Sequence, residues 1–258
     1  MESFALFNLK GGVGKTTLTV NLGAALSSFG KKVMVIDLDP QQNLTQNLGI
    51  NPMRAVGIEE FLEGKLRFEE VVKTYRGKFD FIPAGKGLKE LDITLSAAYK
   101  SEQNAGNVFQ RYFSRVKLDY DYMLIDCPPS TGLLTMNALS FVKKVLVPVQ
   151  CHQFALHGSK KTVSFVYKIK AFYNPELVIG GVIPVMYDRR NKLSDSIIRR
   201  LESSFRDKLM KTKIGVNIAL AEAPGFGKTI FDYKPTSRGA RDIKKLAVEL
   251  MEREQSNQ

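Results

Sequence analysis

Short, almost unbroken apolar runs alternate along the chain with longer stretches whose apolar positions recur every three to four residues. The first pattern fits strands buried on both faces, and the second fits amphipathic helices. Strands are expected over residues 4–8, 32–37, 79–83, 120–126, 145–150 and 177–185. Helices are expected over 16–29, 58–63, 88–99, 108–116, 133–141, 157–173, 193–209 and 238–254. Strand and helix in alternation predict an α/β fold, a doubly wound, mostly parallel sheet with helices on both faces. No repeat, low-complexity linker or compositional break divides it, so residues 1–258 read as one domain with a solvated tail over 252–258.

Composition narrows the function classes. Apolar residues make up 44% of the 258, enough for a substantial core. The two cysteines, Cys127 and Cys151, each sit in an apolar stretch, which argues against a disulfide framework and for a reducing compartment. Two sulfurs in one chain also argue against a zinc or cluster site. There is neither a signal peptide nor an apolar run of the roughly 20 residues that span a membrane, so a cytoplasmic protein is expected. The net charge is +12, and residues 160–258 carry 20 Lys and Arg against 11 Asp and Glu. A polyanionic partner for the C-terminal third follows from that imbalance.

The first strand runs into Lys10, Gly11, Gly12, Val13, Gly14, Lys15, Thr16 and Thr17, and then into a helix. Glycines let backbone amides turn inward around a phosphate, and the helix N-terminus adds its positive dipole end. Lys15 is then placed to reach the terminal phosphates of a nucleotide and the Thr16 hydroxyl to ligate Mg²⁺. The ordinary pattern GxxxxGK[ST] fails at its first glycine, where Leu9 stands, and an extra lysine occupies position 10. Asp37 and Asp39 leave the second strand at the carboxyl edge, where α/β sheets place their ligands. Residues 122–126 form an apolar strand ending in Asp126, a second candidate for the metal.

This loop resembles the deviant Walker A box of the ParA/MinD class of ATPases, and the resemblance extends over nearly the whole chain. It implies ATP and Mg²⁺ as cofactors. Lys10 would reach across a two-fold interface to the phosphates held by a second subunit, acting as an arginine finger does. The stretch from Asp37 to Asn43 resembles the switch segment DxDPQxN, which makes Asp39 the residue that orients the attacking water close to the metal and gives Asp37 a supporting role. Residues 221–228 resemble the EAPSxGK stretch, so Pro224 and Phe226 are expected to wall the adenine, with Met186 closing the other side.

The same resemblance implies an ATP-bound homodimer on nonspecific double-stranded DNA over the nucleoid, released when a ParB-like partner stimulates weak intrinsic hydrolysis. Arg189, Arg190, Lys211, Lys213, Lys228, Lys234, Arg238 and Arg241 are the candidate phosphate contacts, against the plainer reading of solvated helix faces. The chain departs from the family at Val216 and Ala219, where arginines are common, and at His152 and His157, where acidic residues are usual. It ends without the basic amphipathic membrane helix of the MinD branch, and no room precedes the first strand for a helix-turn-helix domain. A protein-cargo positioning ATPase and a nucleotide-binding adaptor with little turnover are the alternatives.

Overall fold

The structure, a computed structural model, describes residues 1–101, 107–153 and 155–256. Seven strands, β1 (Glu2–Leu6), β2 (Val33–Asp37), β3 (Lys73–Tyr75), β4 (Phe79–Ile82), β5 (Tyr122–Asp126), β6 (Lys144–Gln150) and β7 (Val178–Val185), form one sheet. Their order is β3-β4-β2-β5-β1-β6-β7, and every pairing is parallel except that of β3 with β4.

The apolar runs have their physical cause in this layering. Phe4, Leu6, Val33, Val35 and Leu124 point to one side, where the helices Lys15–Ser28 and Arg238–Ser256 cover them. Ala5, Met34, Ile36 and Ile125 point to the other, under the helices Leu88–Ser101, Leu133–Phe141, Ala155–Phe172 and Lys192–Phe205. Each leucine or phenylalanine so enclosed contributes about 2 kcal/mol relative to exposure. Helix Lys15–Ser28 lies closest to the sheet at Gly23, where an added Cβ would stand 2.7 Å from Val35 Cγ2. No helix among the described residues is long and apolar enough to cross a membrane.

Two expectations are corrected and one element is added. The antiparallel edge strand β3 was not anticipated, because three residues are too few to show a period. It enters β4 through a tight turn in which Arg76 (φ 48°) and Gly77 (φ 68°) are both left-handed, the type I′ geometry that suits hairpin twist. The helix expected over 193–209 stops at Phe205, because Arg206 (φ 45°) turns the chain into a short 3-10 segment, Arg206–Lys208. The tail expected from residue 252 is helical through Ser256, and Glu254, only 6% exposed, pairs with Lys144.

Candidate functional site

Because the central strands are parallel, β1, β2, β5, β6 and β7 all deliver their last residues to one edge. The loop after β1 is anchored there by Asn8, whose Nδ2 donates to the Pro148 carbonyl at 2.7 Å. The Oδ1 of Asn8 accepts from the Lys10 amide at 2.9 Å and from the Thr162 hydroxyl at 2.9 Å. Thr162, fully buried on the helix Ala155–Phe172, also accepts from the Leu9 amide at 3.2 Å. The loop is therefore bolted to β6 and to a helix before its glycines begin.

Gly12 (φ 73°) and Gly14 (φ 79°) take left-handed conformations that other L-residues adopt only with strain. A Cβ built on Gly11, Gly12 or Gly14 meets nothing within 4 Å, so the loop rims an open cradle. Gly14 is also the N-cap of the helix Lys15–Ser28, and no side chain caps its first turn. Those first amides thus point into the cradle with the positive end of the helix behind them. Lys15, the first residue of that helix, is 7% exposed.

Behind the cradle the Thr16 hydroxyl donates to Asp126 Oδ2 at 2.6 Å, and Thr19 Oγ1 lies 3.3 Å from Oδ1. Burial, and then the facing Asp37 carboxylate, push the Asp126 carboxyl well above its ordinary range, while Thr16 and the Lys15 charge oppose them. A carboxylate in that condition is suited to a cation. The hydroxyl and carboxylate supply two hard oxygen donors, and Mg²⁺ commonly takes no more than one or two from protein. The donor set and the open cradle together fit a magnesium nucleotide.

Asp37 and Asp126 are register partners across β2 and β5. Asp37 Oδ2 accepts from the Thr45 amide at 2.9 Å and its hydroxyl at 2.7 Å, while the Ala84 amide donates to that hydroxyl at 2.9 Å. Burial raises the Asp37 carboxyl to about 7 against these hydrogen bonds. Its geometry is that of a staple tying β2 to the following turn. Asp39, 6% exposed, caps that turn through the Gln41 amide at 2.9 Å.

Beside the loop lies a cavity of about 260 Å³. Val13, Gly14 and Thr17 form one wall, Met186 a second, and Val216 and Ala221 a third. Pro224 and Phe226, expected to wall the adenine, do not line this cavity. Phe226 stacks instead on Tyr233, with centroids 5.0 Å apart, and borders a separate depression with Leu48 and Lys73. The third wall comes from residues 214–221, at whose start a backbone bridge joins Tyr187 to Gly215.

The basic candidates do not form one group. Arg189 and Arg190 follow β7 on an exposed loop, with Arg190 paired to Asp188 at 3.2 Å. Lys213, on the segment bridged to that loop, lies 5.0 Å over the Tyr187 ring. Arg238 lies against Gly215 and 3.7 Å from Asp242, and Arg241 is exposed one turn further along the same helix. Lys211 sits toward the other end of that helix, where its amide bonds Glu249 at 2.7 Å. Lys228 and Lys234 bracket the short helix Ile230–Tyr233 elsewhere. His152 is exposed, and the side chain of His157 lies outside the described residues.

These features define a nucleotide-binding protein of the glycine-loop α/β class. A family model described as an AAA domain matches residues 1–179. The sporulation initiation inhibitor protein Soj of Bacillus subtilis is 41% identical over 95% of this chain and 96% of its own length. The chromosome partitioning protein ParA of Caulobacter vibrioides is 38% identical over 100% of this chain and 97% of its own. Cobyrinic acid a,c-diamide synthase of Mycobacterium smegmatis, solved with ADP and magnesium, superposes with a TM-score of 0.85 at 27% identity, covering 100% of this chain and 97% of that one. A putative plasmid partition protein of Borrelia burgdorferi bound to AMPPNP gives 0.80 at 20% identity, covering 100% and 99%, a likeness of fold alone. The chain belongs to the ParA/Soj family of partitioning ATPases.

Proposed function

We propose that the chain is an ATP-driven dimerisation switch that segregates DNA or positions a cargo over it. ATP with Mg²⁺ joins two copies, the dimer binds nonspecific double-stranded DNA on the nucleoid, and a ParB-like partner stimulates an otherwise weak hydrolysis. The observation that carries this reading is the Thr16–Asp126 contact at 2.6 Å, set behind an open glycine cradle with Lys15 buried beside it. Thr16 and Asp126 hold the metal, with Asp39 near it, and Lys15 holds the phosphates. Bound magnesium supplies charge neutralisation at the γ-phosphate. Asp39 orients the attacking water, and Lys10 adds its charge from the second copy. The cavity beside the loop takes the adenine, and the basic side chains around the β7 loop and the start of the last helix meet DNA phosphates.

The test uses two variants and one measurement of each kind. Lys15→Ala is expected to abolish binding of a fluorescent ATP analogue. Asp39→Ala is expected to bind ATP, remain dimeric by light scattering and stay on DNA, with turnover lost. Equal DNA affinity with ATP, with ADP and without nucleotide sinks the switch.

A further inference from the structure

Gln150 ends β6, and β6 lies between β1 and β7, so its side chain emerges between the phosphate loop and the cavity. Its carboxamide reaches both. Oε1 accepts from Lys10 Nζ at 2.8 Å, while Nε2 donates to the Gly12 carbonyl at 3.0 Å and lies 2.9 Å from Met186 Sδ. One amide thus joins the extra lysine, the apex of the glycine loop and the wall of the cavity. No other protein acceptor among the described residues holds the Lys10 ammonium.

We infer that Gln150 is a positioning residue that tethers Lys10 in cis and surrenders it when a second copy arrives. The inference rests on the proposed role of Lys10 across the dimer. A lysine that works in trans must be kept from folding onto its own cradle, yet must be released at little cost. A neutral amide meets both conditions. Its hydrogen bond to an ammonium is directional, but it lacks the formal negative charge by which a carboxylate adds Coulomb attraction to the same group. The grip on the Gly12 carbonyl and on Met186 links the lysine's position to the shape of the loop and of the cavity wall. Nucleotide filling either one disturbs the same amide.

The experiment uses the full chain carrying Asp39→Ala to suppress turnover, at saturating ATP and Mg²⁺. The dimer dissociation constant is read by sedimentation and nucleotide affinity by a fluorescent ATP analogue. Gln150→Glu strengthens the cis contact and is expected to weaken the dimer roughly tenfold, whereas Gln150→Ala frees Lys10 and is expected to tighten it roughly threefold. Folding damage would move both variants in one direction, and each is checked for an unchanged melting temperature. Shifts in the same direction, or no shift in either, overturn the tether provided Lys10→Ala prevents dimerisation. If Lys10→Ala dimerises like the parent, the trans role itself fails and the tether falls with it.

Discussion

At Asp232, burial alone would push the carboxyl upward, yet the Lys78 ammonium and the hydroxyls of Thr229 and Tyr75 hold it below the ordinary aspartate range. A carboxyl depressed in the folded state adds stability that is present above its unfolded pKa, near 4, and is lost as pH falls through the folded value. Asp232→Asn is therefore expected to cost about 1–3 kcal/mol at pH 7, by urea unfolding, with the deficit closing below pH 4. A deficit independent of pH would mean that Asp232 acts by packing rather than charge. The carboxylates of the site differed in how far the sequence disclosed them. Asp126 stood out because it ends an apolar strand, and Asp39 because it follows one in a segment that resembles DxDPQxN. Gln150 ends β6 and Asn8 follows β1 by two residues at the same edge, but an amide there carries no charge pattern to single it out. Only the contacts to Pro148, Lys10 and Gly12 reveal their work.

Among the elements, the helices and strands that bury a full face were readable, since burial imposes the period. Leu133–Phe141 falls on its expected bounds, and β7 differs by one residue. Elements fixed by local turns were not readable, as Arg76 and Arg206 show: neither residue type announces a left-handed backbone. The cavity beside the loop is a related case. The resemblance to EAPSxGK put Pro224 and Phe226 beside the base, whereas the fold stacks Phe226 on Tyr233 and builds the cavity beside the loop from the segment bridged to the end of β7. Ala221→Trp, which fills that cavity, is expected to weaken ATP binding at least tenfold, about 1.4 kcal/mol, without lowering the melting temperature. Phe226→Ala is expected to leave nucleotide affinity within twofold while costing about 1 kcal/mol of stability through the lost aromatic pair. The opposite pattern in a calorimetric titration would restore Phe226 to the site.

For the whole molecule, the charge asymmetry along the sequence becomes an arrangement in space. Arg189, Arg190, Lys213 and Arg238 meet around the loop after β7 and the segment bridged to it, while Lys228 and Lys234 stand apart. Each phosphate contact removed should flatten the plot of log affinity against log salt by about 0.9 for B-form DNA. Arg189→Ala with Arg190→Ala should therefore reduce the ATP-dependent salt slope by about 2, whereas Lys228→Ala with Lys234→Ala should change it less. Fluorescence anisotropy across a salt series separates the two pairs, and equal slopes for both would disperse the contact surface over the C-terminal third.

The placement of β1 bears on how the protein is made. Leu6 pairs with Asp126 on one side and with Leu146 on the other, and Asn8 is secured by Pro148 and Thr162. At a ribosomal pace of about 5–20 residues per second, the first strand waits on the order of ten seconds for either neighbour. The phosphate loop is thus synthesised well before the residues that give it its shape. A nascent chain that stops short of residue 162 lacks the threonine that braces the loop, so stabilisation by nucleotide is expected only once that residue has been added.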